Sequence, residues 1–183
     1  TRQSVVGQAI NSGKTAKVYA ESMKGTCATS NNGNYVARHN PWTYFVDESS
    51  LCEQFNVPLA NFNGDDAAGK LPNVGMLIPN NCNNAHDCSL ATADEWFKAR
   101  MSTVFNGPDW KSGNLLVVLT ADEDDKKSGN KVMTVLMNPG IKSKVVNTNL
   151  NHYSLSRLYS EVIGQPGLRN AEDAPSLLSS FGL

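Results

Sequence analysis

The sequence predicts an α/β fold in which helices pack against a largely parallel sheet. Three observations lead there. Short apolar strands alternate with helical segments along the chain. The 183 residues suffice for one sizeable core, and no repeat, low-complexity tract or linker divides them, so residues 1–183 read as a single domain. Polar residues gather in the loops that follow the strands, which is where open α/β sheets bind ligands.

The elements follow in order. Residues 3–11 put Val5, Val6, Ala9 and Ile10 on one helical face, and Thr15 to Ala20 reads as a strand. Val74 to Ile78 is a second apolar strand, stopped by Pro79. Thr92 and Glu95 are spaced as a capping box, and Trp96, Phe97, Met101, Val104 and Phe105 make the apolar stripe of the helix behind it. Leu115 to Thr120 and Val132 to Met137 are two further strands. A last helix begins near Tyr153, because Leu155, Leu158, Tyr159, Val162 and Ile163 recur at helical spacing.

Composition excludes several classes. Sixteen basic and 17 acidic residues leave a formal net charge of −1, which gives no field for nucleic acid as a scaffold. The longest apolar runs fall far short of the roughly 20 residues that cross a bilayer, so no transmembrane segment is expected. Cys27, Cys52, Cys82 and Cys88 form no CxxC pair of the kind that marks structural zinc. They read as two disulfides, 27 with 52 and 82 with 88, and hence as a secreted, extracellular or periplasmic protein; four reduced core thiols are the alternative. Thr1 stands where a primary translation product has Met, as in a processed or trimmed chain.

Four polar clusters are candidates for chemistry. The strand ending at Thr120 runs straight into Asp122 and Glu123, and adjacent carboxylates there suit a hard divalent cation that removes their repulsion. The plain alternative is an acidic turn answered by Lys126 and Lys127. Asp124 and Asp125 are expected to stay in solvent. His86 and Asp87 lie between Cys82 and Cys88, and so short a covalent loop would fix the imidazole for holding phosphate or giving up a proton; a histidine on a stapled surface turn is the alternative. Pro41 keeps Asn40 extended, so His39 and Asn40 could face one cleft. His152 precedes the last helix as a ligand-binding, capping or packing residue.

The segments "KVYAESM", "ARHNPWTYF", "LPNVGMLIPNNCNNAHDC", "LLVVLTADED" and "NHYSLSRLYSEVIG", in that order, resemble the secreted phosphoesterase family of acid phosphatases and bacterial phospholipases C, within the alkaline-phosphatase-like superfamily. The resemblance runs from about residue 4 to 183 and covers the later two-thirds of that domain. It implies a three-layer α/β/α sandwich with a mostly parallel sheet, its amino-terminal part lying outside this sequence. It also implies hydrolysis of phosphoric esters at a metal-assisted site. By position Asp122 and Glu123 resemble the family's acidic metal ligands, and His39 and His86 its phosphate-site histidines. Asn40, Asp87 and His152 are expected to bind substrate. The metal could be magnesium, calcium, manganese or zinc.

The family's Ser or Thr nucleophile and its acidic-amide metal pair have no counterpart here. The expected partner is therefore an amino-terminal segment of the same precursor, or a second copy, that supplies the attacking group to a phosphate ester substrate. Thr1, a hydroxyl beside a free amine, is a remoter nucleophile because it would need different chemistry. A non-catalytic secreted binding or inhibitory module is the alternative function, and an inert proteolytic fragment a third.

Overall fold

A computed structural model describes residues 2–183; Thr1, weighed above as a nucleophile, lies outside them. In chain order the elements are α1 (Val5–Asn11), β1 (Ala16–Ala20), three short 3-10 turns between Ala37 and Glu48, α2 (Ser49–Phe55), β2 (Asn56–Pro58), α3 (Ala60–Ala67), β3 (Val74–Ile78), α4 (Leu90–Val104), α5 (Pro108–Lys111), β4 (Val117–Leu119), β5 (Val135–Met137), α6 (His152–Val162) and α7 (Leu177–Phe181). The fold is mixed α/β, as expected.

β1 is the centre of a three-stranded parallel sheet in the order β2-β1-β3, with Val18 opposite Asn56 on one side and Met76 on the other. Successive residues of a strand face opposite ways. Ala16, Val18 and Ala20 therefore join a core with Val6 and Ala9 of α1, Cys52 of α2 and Ile163 just after α6. Tyr19 faces the other way, into a core with Phe62 of α3 and Met101 and Val104 of α4. Helices thus cover both faces. β4 and β5 pair antiparallel in a separate two-stranded sheet, Val118 opposite Leu136, because no helix intervenes to carry the chain back for parallel pairing. A third core of Leu136, Leu158 and Leu177 lies beneath them.

Two helix starts differ in instructive ways from the sequence pattern. α4 begins two residues before Thr92: Ser89 is the extended cap, and its hydroxyl accepts from the Thr92 N–H. The Thr92 and Glu95 spacing is therefore not the cap, since the helix is already under way at Thr92 and its own N–H is the orphan donor that Ser89 satisfies. α6 begins at His152, capped by Asn151 in a reciprocal box with Ser154.

Both expected disulfides are present, Cys27–Cys52 and Cys82–Cys88, with Cα atoms 5.4 and 4.7 Å apart. Between the first pair lies a buried carboxylate hub. Glu48 accepts from the Ser4 N–H at 2.9 Å, the Ser4 hydroxyl at 2.5 Å and the Trp42 indole N–H at 2.7 Å, tying α1 to the turns that carry His39. Gly7 packs so closely on this carboxylate that a side chain there would collide with it. Glu48→Ala strands three buried donors, and we expect a loss of about 3 kcal/mol or more in urea unfolding. Gly7→Ala is expected to destabilise by about 1–3 kcal/mol through overpacking against the same group.

Candidate functional site

The polar residues sit on loops that follow the strands. The loop after β3 is folded by its own asparagines. Asn80 Oδ1 accepts from the N–H groups of Cys82 and Asn83, and Asn84 Oδ1 from the N–H of His86. Glu21, one residue past β1, holds this loop from below: its carboxylate accepts from Asn80 N–H, the Asn83 amide and the Trp96 indole, each at 2.9 Å. The Cys82–Cys88 bridge closes the loop around His86 and Asp87. The Asp87 carboxylate accepts from His86 Nδ1 at 2.7 Å and from the Asn81 amide. The His86 hydrogen bond, with that from Asn81 and the charges of His86 and Arg38, holds Asp87 below the usual carboxylate range.

His39 ends the first 3-10 turn. Its ring lies 5.5 Å from that of His86, centroid to centroid, and the Asn84 amide meets its Nδ1 at 3.2 Å. With an N–H donor at Nδ1, the neutral imidazole carries its proton on Nε2. Burial pushes His39 below the ordinary histidine value, and the charges of Arg38 and His86 push the same way, against Asp122 and Asp87. The loops following β1 and β3 thus meet at the two imidazoles, and the charge of Asp122, on the loop after β4, acts on His39.

Asn40 differs from its expected role. It is completely buried and cannot reach a ligand. Its amide exchanges hydrogen bonds with Asn56, at 3.1 and 2.8 Å, and donates to the Tyr35 hydroxyl at 3.1 Å. The turn that presents His39 outward thus turns Asn40 inward.

Asp122 and Glu123 are exposed, and among the described residues neither side chain has a hydrogen-bond or ion-pair partner. Lys127 pairs instead with Asp125 at 3.3 Å. Asp124, expected in solvent, is half-buried. It accepts from the N–H groups of Lys126, Ser128 and Asn130, which hold its pKa down, and so it folds the loop that displays its two neighbours. His152 is exposed on the first turn of α6, and its Nε2 donates to the backbone carbonyl of Asp122 at 2.7 Å. Sequence reasoning places Arg38 with His39 and Asn40 in the loop after the first strand but assigns it no role. It is exposed, and its Nη2 donates to His86 Nε2 at 3.5 Å; its place directly before His39 was the available signal.

His39 and His86 thus lie on loops past the carboxyl ends of the parallel strands β1 and β3, and Asp122 and Glu123 on the loop past β4 of the separate sheet. The chain belongs to the phosphoesterase family, which it matches over residues 3–164. It is 30% identical over 175 residues to the phosphatidylinositol-3-phosphatase of Mycobacterium tuberculosis, covering 94% of this chain and 56% of that protein. It is 29% identical over 142 residues to an acid phosphatase of Aspergillus fumigatus, covering 74% of this chain and 32% of that one. A phosphate-repressible acid phosphatase of Penicillium chrysogenum is 28% identical over 151 residues, 79% of this chain and 36% of the relative. The chain spans from about a third to just over half the length of these relatives. Among the described residues no helix is long and apolar enough to cross a membrane.

Metals are common in this family. The unpaired carboxylates of Asp122 and Glu123 have the hard-oxygen chemistry for a divalent cation. Their number is insufficient alone: among the described residues no group of three His, Cys, Asp or Glu side chains gathers to hold one. The linkage of Asp122 to His39 can be tested directly. Asp122→Asn removes a charge that favours the imidazolium, so the NMR titration midpoint of His39, already below the ordinary value, is expected to fall further. An unmoved midpoint would separate the two loops.

Proposed function

We propose that this chain hydrolyses phosphoric esters, with His39 and His86 lining the phosphate and Asp122 and Glu123 contributing ligands to a divalent cation. The observation that carries this reading is the approach of His39 to His86, residues 47 positions apart in sequence, with the unpaired Asp122 acting on His39. The family membership and the names of the relatives support it.

Each residue then has a task. His39 offers its Nε2–H to a phosphoryl oxygen as a neutral donor, since burial disfavours its imidazolium. His86 is oriented by the Asp87 carboxylate through Nδ1; once a bound ester draws Arg38 off Nε2, that nitrogen can take up a proton and pass it to the departing alcohol oxygen as the P–O bond breaks. Asp87 is thereby a positioning residue, and His152 another, steadying the Asp122 backbone rather than touching the ester. When bound, the cation offsets negative charge on the phosphoryl oxygens; magnesium, calcium, manganese and zinc all suit the available donors. The attacking hydroxyl and the remaining cation ligands come, in this reading, from a segment outside the described residues. The two disulfides support a secreted setting.

The test is turnover of an aryl phosphate by the protein as purified, with each of the four metals, alongside its intact mass under denaturing conditions. We expect turnover that falls on the order of 100-fold or more in Asp122→Ala. Turnover at the buffer rate by a preparation whose mass shows an accompanying segment overturns the reading in favour of a non-catalytic binding or inhibitory module; the chain without such a segment is expected to be inactive.

A further inference from the structure

We propose that Arg38 is the specificity-determining residue of this site, selecting a terminal phosphate group over one bridged to two alcohols. The proposal deepens the phosphoesterase reading and rests on it. Its starting point is an unanswered charge. Like most of the basic side chains, Arg38 pairs with no carboxylate among the described residues; what sets it apart is its place against the ring of His86. Its one hydrogen-bond partner is the ring nitrogen of His86, at a long 3.5 Å. The guanidinium has five N–H donors in a planar fork, so nearly all its capacity is free.

The location gives that capacity a purpose. Arg38 is the residue next to His39, it touches His86, and its charge acts on both His39 and Asp87. The fixed charges that act on His39 beside that of Arg38 are negative, those of Asp87 and Asp122. Arg38 is therefore the cluster's one side chain that is cationic at every working pH, and it favours whichever ligand brings more negative charge. A phosphate monoester carries about −1.5 to −2 charge at neutral pH and three terminal oxygens. A diester carries a single charge and two such oxygens. Two histidines can engage two oxygens. A third donor group is fully used only by the monoester, and a guanidinium fork suits phosphate oxygens geometrically as an ammonium does not.

The experiment follows the imidazole resonances of His39 and His86 by NMR, without divalent metal and above the second ionisation of a monoester near about pH 6, while methyl phosphate or dimethyl phosphate is added. Methyl phosphate is expected to bind at least about tenfold more tightly, the contribution of one charge-assisted hydrogen bond. Arg38→Gln is expected to erase that preference. Arg38→Lys, which keeps the charge and loses the fork, is expected to retain part of it. Equal binding of the two esters by the unaltered protein, or a preference that survives Arg38→Gln, overturns the assignment. A preserved preference without aryl phosphate turnover overturns the hydrolytic reading and leaves Arg38 in its role; resonances that methyl phosphate does not move overturn the assignment of Arg38, whatever the turnover.

Discussion

The structure depends most on a pair of amides that never meet water. Asn40 and Asn56 are both fully buried, and each donates to the other. Buried amides left unsatisfied cost on the order of 1–3 kcal/mol each, so the pairing is nearly obligatory once the chain has folded around them. Asn56 opens β2, beside the central strand. Asn40 follows His39. The reciprocal bond therefore transmits the position of the sheet to the imidazole, and Tyr35, which donates onward to the Ala28 carbonyl at 2.6 Å, fixes the turn from the other side. None of these three side chains changes charge in the working range of a phosphoesterase, because burial raises Tyr35 above even its ordinary value.

A second layer of order comes from side chains that fold loops rather than contact ligands. Asp124 gathers three backbone N–H groups and in doing so leaves Asp122 and Glu123 facing solvent. Glu21 and the asparagines after β3 do the same for the segment bearing His86. Polar loops this dense in short-range hydrogen bonds need little apolar burial of their own. Reactive groups can thus stay exposed without being loosely placed.

Much of this was legible in the chain, for reasons that differ by element. α1, β1, β3 and α6 announce themselves by apolar spacing, and the bridges by the tight interval between Cys82 and Cys88. α2 and α3 were silent. α3 contains Gly64 and two aspartates, and only packing of Phe62 beneath the sheet makes it a helix. The antiparallel pairing of β4 with β5 is a tertiary choice that neither strand's composition encodes. At the site, the convergence of loops followed from the logic of α/β sheets, whereas the inward turn of Asn40 did not: an asparagine beside a histidine reads identically whether it meets a ligand or a second buried amide. Arg38 was hidden by its ordinariness, since a surface arginine gains meaning only once the fold sets it against His86, 48 positions away.

The two covalent bridges have unequal tasks. The 25-residue separation of Cys27 and Cys52 restrains the unfolded chain more than the six of Cys82 and Cys88, by about 1 kcal/mol on loop-closure grounds. The larger ring guards the body of the protein. The smaller one holds little else than the orientation of a single imidazole and its carboxylate, and with Cys88 exposed and Cys52 buried it is the one that mild reduction opens first, blunting the site's aim while the larger ring still holds the surrounding architecture.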